Sequence, residues 1–193
     1  MPELIVDFIT SLDGYASAEG WPGWWGLEGP EYLAWLSESP ERDHTLLLGA
    51  NTYRVMSGFA AQPPDDTNTD EVESLSELQR ADKVVFSSTL EAPLSWHNTR
   101  LVTENAAETV RDMKRRNHTS MRTIGSLSLS RSLLAAGLVD RFRVTVFPVI
   151  TGDTGRERIY DGYPDVALEM TTSQTLDGRI QVLEYVPTLL TGR

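Results

Sequence analysis

The feature that most restricts how this chain can fold is its alternation of short apolar runs with amphipathic stretches, closed by two long runs joined at Asp177-Gly178. Leu4 to Ile9 (LIVDFI), Thr45 to Leu48, Lys83 to Ser87 (KVVFS), Thr99 to Thr103, Arg122 to Gly125 and Arg141 to Ile150 read as strands. Helical patterns start at Pro30 and at Asn51-Thr52, the latter to about Phe59, and cover Glu71 to Arg80, Ala106 to Arg116 and Ser128 to Leu138. Pro30 suits a first helical turn, where its missing N–H costs nothing, and Asn51-Thr52 offers N-cap chemistry. Strands alternating with helices predict a layered α/β fold with a mostly parallel central sheet. Val166 to Thr175 and Arg179 to Val186 flank Asp-Gly, so that sheet should finish in an antiparallel C-terminal hairpin. Residues 62–70 (QPPDDTNTD) read as a polar loop, because the alternation resumes beyond them. The expectation is one domain over residues 1–193.

Composition removes several classes of function. At 193 residues the chain can build a core without a disulfide or metal staple. It has no cysteine, which excludes disulfides, thiolate nucleophiles and Cys-based metal sites. His44, His97 and His118 are scattered without metal-ligand spacing, so no metal site is expected. Its 28 acidic and 17 basic residues give a net charge of -11, which argues against nucleic acid as a partner. Met1-Pro2-Glu3-Leu4 carries no cationic leader pattern, and no apolar run approaches the roughly 18 residues of a membrane span. These features predict a cytoplasmic protein with no membrane partner.

The familiar catalytic signatures are missing: no G-x-G-x-x-G after the first strand, no P-loop and no G-x-S-x-G elbow. What remains is a set of strand ends followed by small or hydroxyl residues. They are Ser11-Leu12-Asp13-Gly14, Gly49-Ala50-Asn51-Thr52, Ser87-Ser88-Thr89 and Gly125-Ser126-Leu127-Ser128. In an open parallel sheet, ligands bind beyond the carboxyl ends of the strands, and helix N-termini present free N–H groups to phosphates. Two such turns could hold a dinucleotide's phosphates; each alone could equally be an ordinary strand-to-helix turn.

Taken together and in this order, the segments resemble the dihydrofolate reductase superfamily, in the branch that includes the reductase domain of riboflavin biosynthesis. The resemblance rests on SLDGYAS from Ser11, LGANTY from Leu48, VVFSSTL from Val84, TIGS from Thr123, SLLAAGLVDRFRVTVFPVITGDTG from Ser132, and the final hairpin. It implies a dihydrofolate reductase-like three-layer fold, NADPH as cofactor, hydride transfer to a small molecule, and a homodimer. By residue, it implies that Ile9 and Thr10 offer backbone contacts to the nicotinamide carboxamide. Gly49, Asn51 and Thr52 would meet phosphate, Ser87 and Ser88 would face the adenosine 2′-phosphate, and Gly125, Ser126, Leu127 and Ser128 would cradle the pyrophosphate.

The chain departs from the pattern at three places. Gly49-Ala50 stands where the family usually has Gly-Arg, and that arginine is a charge-assisted phosphate partner; Arg54, one turn later, could substitute. Gly125-Ser126 stands where the family has Gly-Gly, often joined by a cis peptide. A non-proline cis bond costs about 2.5–4 kcal/mol and a side chain adds crowding, which leaves a trans bond and an altered loop open. Tyr32 occupies the position of the pterin-binding carboxylate, with Glu31 one residue early.

Residues 1–79 contain two cations, Arg42 and Arg54, but also Trp21, Trp24, Trp25, Tyr32 and Trp35. A folate tail or a ribityl phosphate needs positive charge; aromatics suit a flat, neutral, aromatic or carbonyl-containing substrate. For the proton that accompanies a hydride, Asp13, Glu31, Tyr32 and water are the candidates. The expectation is therefore an NADPH-dependent oxidoreductase that is not a physiological dihydrofolate reductase. A riboflavin-pathway pyrimidine reductase and a non-catalytic dinucleotide-binding protein are the alternatives.

Overall fold

In the computed structural model, which describes residues 2–21, 23–62, 76, 78–116 and 119–190, the first apolar run becomes a central strand of an eight-stranded sheet. The elements are β1 (Leu4–Ser11), β2 (Tyr15–Ala18), α1 (Pro30–Glu38), β3 (Thr45–Gly49), α2 (Ala50–Ala61), β4 (Lys83–Phe86) and β5 (Thr99–Val102). They continue with α3 (Ala106–Arg116), β6 (Met121–Thr123), α4 (Leu127–Ala135), β7 (Arg141–Phe147), β8 (Gly155–Arg158), β9 (Val166–Leu176) and β10 (Ile180–Leu189). The sheet order is β5-β4-β3-β6-β1-β7-β10-β9, parallel from β5 to β7 and antiparallel in the last two strands. The mostly parallel α/β sheet with its C-terminal hairpin is thus the observed fold.

Alternation along β1 assigns the two faces. Leu4, Val6 and Phe8 pack with Val110 and Met113 of α3 and Leu129, Leu133 and Leu134 of α4. Ile9 belongs with the opposite layer, where Tyr32, Trp25, Phe147, Ile180 and Val182 form a second core. Helices on both faces of one sheet make the three layers.

The turn at Asp177-Gly178 places both residues at positive φ, 50° and 65°, and the Arg179 N–H donates to the Leu176 carbonyl at 3.0 Å. Several boundaries differ from the sequence expectation. The strand expected to reach Ile150 ends at Phe147, because Pro148 has no N–H for the ladder. The strand expected to reach Gly125 ends at Thr123, because Gly125 and Ser126 both turn left-handed. α2 begins at Ala50 with Gly49 as N-cap and no side-chain cap, so Asn51-Thr52 does not perform the capping read from the sequence. The antiparallel pair of β2 and β8 was not anticipated. The helix expected over Glu71 to Arg80 falls largely outside the described residues, as do most of the 62–70 loop and His118.

The layer facing α1 also carries charge. In register across three strands stand Glu184 on β10, Arg143 on β7 and Asp7 on β1. The Arg143 guanidinium donates to Glu184 Oε1 through Nε (2.6 Å), lies 2.9 Å from Glu41 Oε1 and reaches Asp7 Oδ2 at 3.3 Å. Arg141 bridges Glu41 and Glu184 at 3.0 and 2.6 Å. Burial raises the Asp7 pKa even though Arg143 and Arg122 pull it down. At Glu41 burial works in the same upward direction, but a Ser39 hydrogen bond and the Arg143 charge hold its carboxyl down at about 2.

Replacing Arg143 with Leu leaves three acidic groups facing one another without their shared cation. Breaking a buried charge network in this way costs about 3–5 kcal/mol. Urea denaturation should show that loss; a change below 1 kcal/mol would mean that Arg141 and Arg122 suffice.

Candidate active-site cleft

A cleft of about 1470 Å³ runs over the C-terminal ends of the parallel strands, where an open α/β sheet places its ligands. At one end two helix N-termini meet. Gly49, the N-cap of α2, donates its N–H to Ser126 Oγ at 2.9 Å. Ser126, the N-cap of α4, donates its own N–H to Thr52 Oγ1 at 3.2 Å. The two helix starts are thus bolted to each other, and neither has a side-chain cap over its first-turn amides. Those amides are left for solvent or for an anion, and the helix dipoles favour negative charge there.

Ser126 holds φ 55° and ψ 52°. A non-glycine residue there costs on the order of 1–2 kcal/mol. Three hydrogen bonds hold it: the two just described and one from its hydroxyl to the Ile124 carbonyl at 3.0 Å. The cis peptide among the described residues is Ala92-Pro93; the Gly125-Ser126 bond is trans. The altered loop of the sequence reading is therefore a left-handed pair, with the Gly125 N–H tied to the Asp7 carbonyl at 3.0 Å.

Gly49, Asn51, Thr52, Ser87, Ser88, Gly125, Ser126, Leu127 and Ser128 all line this end of the cleft. Ser87 Oγ accepts the Thr89 and Leu90 amides at 3.1 Å, and its hydroxyl shares a hydrogen bond with Thr89 Oγ1 at 3.3 Å. Arg54 does not line the cleft; it donates to Asn51 Oδ1 at 3.2 Å. Ile9 lines the cleft. Asp7 spends its N–H and carbonyl on the β6 side. By the two-residue alternation of a strand, Ile9 presents its backbone groups to that same side, beyond the end of β6. Thr10 does not share this placement: it is buried and faces β7, its hydroxyl bonded to the Ser11 carbonyl at 2.9 Å.

The other end is aromatic. Tyr32 stacks on Trp35 at 5.9 Å and meets Trp24 edge-on at 6.1 Å. All three border the cleft, Tyr32 as a buried member of the second core, whereas Trp25 of that core does not reach it. Burial, with the nearby Asp7 charge, pushes the Tyr32 hydroxyl far above its ordinary pKa, so it stays protonated.

The other two acid candidates stand elsewhere. Asp13 accepts the Gly152 amide at 2.9 Å and the Thr151 amide at 3.1 Å, and it does not line the cleft. Slight desolvation opposes the shift, but hydrogen bonds from Ser11, Gly152 and Thr151 hold its carboxyl at about 2. That ionised carboxylate ties the β1–β2 turn to the loop before β8. Glu31 also lies outside the lining; its carboxylate accepts the Asp177 N–H. In their place, Asp7 and Arg122 line the aromatic half of the floor, with Glu28 beside them. A carboxylate in the middle of LIVDFI was a visible anomaly, but Arg122 corrects the charge argument: a cation far along the chain serves a region that residues 1–79 alone left nearly bare. Among the described residues no group of His, Asp and Glu could hold a metal. No described helix is long and apolar enough to cross a membrane.

A model of the RibD C-terminal domain matches residues 2–182. The chain is 22% identical over 182 residues to the uncharacterised protein YyaP of Bacillus subtilis (strain 168), covering 94% of this chain and 93% of that one. A pyrimidine reductase-like protein of Corynebacterium diphtheriae is similar in structure, with a TM-score of 0.64, 17% identity, and 97% and 92% of the two chains covered. So is the diaminohydroxyphosphoribosylaminopyrimidine deaminase/5-amino-6-(5-phosphoribosylamino)uracil reductase of Thermotoga maritima, with a TM-score of 0.66 and 15% identity. There 97% of this chain matches 57% of the other.

The Ser126 bolt makes a stability prediction. Ser126→Ala strips the partner from the Gly49 N–H and keeps the strained backbone, so it should cost about 1–2 kcal/mol. Ser132→Ala, on the exposed side of α4, should cost less than about 0.5 kcal/mol. Equal losses in denaturant titrations would remove the special role of the Ser126 hydroxyl.

Proposed function

The chain belongs to the RibD C-terminal domain family, and from that premise we propose that it is a reductase that moves a hydride from NADPH to a flat, pyrimidine-like small molecule. The observation that carries this reading is the pairing of two uncapped helix N-termini at one end of the cleft with an aromatic wall at the other. The residues present fit a dinucleotide. The first-turn amides of α2 and α4 suit a pyrophosphate, and the Ser87 and Ser88 hydroxyls suit a 2′-phosphate. Ile9 backbone groups suit a carboxamide at the base of the aromatic end. When bound, NADPH supplies the hydride.

The chain's own part is to position and to dry the site. Trp35 and Trp24 offer partly exposed rings on which a flat substrate can stack and exclude water, and Tyr32, buried against both, holds them in place. Tyr32 keeps its proton, and burial makes Asp7 bind one more readily than an ordinary carboxylate. Asp7 is the proton source this reading favours, Tyr32 donates a hydrogen bond without giving up its proton, and Asp13 and Glu31 do not line the cleft.

The test is cofactor oxidation with NADPH and a choice of acceptors. 5-Amino-6-(5-phosphoribosylamino)uracil, its dephosphorylated form or another flat carbonyl-bearing ring should turn over. Dihydrofolate should be worse by roughly 10²–10⁴-fold in kcat/KM, since Tyr32 replaces a charged pterin contact and residues 55–79 carry no Lys or Arg to meet its tail. Efficient dihydrofolate reduction, or no oxidation with any ring acceptor, would overturn the reading. Ser87→Ala with Ser88→Ala should weaken NADPH by about tenfold or more and leave NADH nearly unchanged in binding titrations. Equal losses would put the adenosine end elsewhere.

The protein is also proposed to be a homodimer. Leu168 and Met170 lie 42% and 53% exposed along the edge strand β9, where a second copy would cover them. Light scattering at micromolar concentration should give twice the single-chain mass.

A further inference from the structure

Helix α1 has nothing of its own to close its N-terminus. Its N-cap is Gly29, which has no side chain, and its first residue is Pro30, which has no N–H. The cap comes from the hairpin turn at the far end of the chain. Asp177 Oδ1 accepts the Glu31 N–H and Oδ2 accepts the Tyr32 N–H, each at 3.0 Å. Glu31 returns the contact, its carboxylate accepting the Asp177 N–H. This is the reciprocal logic of a capping box, assembled from residues 146 positions apart rather than three. The fit is tight: a Cβ on Gly29 would overlap the Asp177 carboxylate.

Tyr32, whose N–H is one of the two held, carries the central ring of the aromatic wall, and Trp35 follows one turn later. At its other end α1 runs into Ser39 and Glu41, and Glu41 is anchored on Arg143. The helix is therefore pinned at both ends. The N-terminal pin is the one that acts directly on Tyr32, the buried ring against which Trp35 and Trp24 pack at the cleft. None of the elements that hold the phosphate end takes part in it.

We propose that Asp177 is a positioning residue for the aromatic side of the cleft: by capping α1 across the fold it fixes where Tyr32 and Trp35 stand, independently of the helix N-termini at the other end. The proposal rests on the reading of the aromatic end as the place where the reducible ring binds.

Two variants of the full chain separate capping from turn geometry. Asp177→Gly keeps the left-handed turn, which glycine adopts freely, and removes the carboxylate. Asp177→Asn tolerates the same turn and keeps one oxygen acceptor. In D177G, amide exchange at Glu31 and Tyr32 should quicken by roughly 5–30-fold, the opening expected from a lost N-cap. The near-UV circular dichroism of the Trp24, Tyr32 and Trp35 cluster should fall. NADPH affinity should stay within about twofold, and KM for the ring acceptor should rise about tenfold with a much smaller change in kcat. D177N should recover part of each effect. Unchanged exchange and dichroism in D177G would overturn the proposal. So would a parallel loss of NADPH affinity, which marks general loosening, or a KM that stays put while exchange quickens. If the native protein reduces no ring acceptor, the functional reading falls, and exchange, dichroism and NADPH affinity still decide the role of Asp177.

Discussion

Arg143 is the interaction on which the rest of the structure depends. It stands on β7 between Asp7 of β1 and Glu184 of β10, directly opposite both, and takes Glu41 from above. Because side chains alternate with a period of two, a one-residue slip of any of these strands would send the charge into the apolar layer beneath α3 and α4. The row therefore specifies register across the parallel-to-antiparallel junction of the sheet. It also decides where α1 can lie, since Glu41 follows that helix and Trp35 receives the Arg143 guanidinium 5.1 Å from its ring centre. The aromatic wall and the charge row form one continuous layer.

The second constraint is the mutual bolt between Gly49, Thr52 and Ser126. A helix start ordinarily uses a side chain to satisfy one of its own amides. Here the two polar side chains at the α2 and α4 starts serve each other's loops instead, which fixes the spacing of two N-termini while leaving their first-turn amides uncovered. The strained backbone of Ser126 is held by the same bonds that set this spacing.

Much of the architecture was legible because its signals are local. LIVDFI, KVVFS and the Asp177-Gly178 turn each state their own conformation through period and turn chemistry. The strand-end motifs likewise led to residues that line the cleft where the α2 and α4 N-termini meet. Two of the acid candidates stand outside the cleft for the opposite reason. Asp13 and Glu31 lie at plausible strand and helix ends, but their partners, Gly152 and Asp177, are 139 and 146 residues away. Which way a short carboxylate faces is decided by those partners, and spacing along the chain does not encode them. Asp7 was visible as a charge in an apolar run. Its meaning depended on Arg143, 136 residues on, and on Arg122.

The position of β1 has a consequence for how the chain is made. Its two sheet neighbours, β6 and β7, begin at Met121 and Arg141. During synthesis at about 5–20 residues per second, the run Leu4 to Ser11 waits roughly 6–30 s for either edge to be paired. An apolar strand with both edges open is the kind of segment that recruits a stranger, and a charge in its middle is the usual protection. Asp7 therefore has two successive lives: a guard against wrong pairing while β1 is alone, and the acidic partner of Arg143 once β7 arrives.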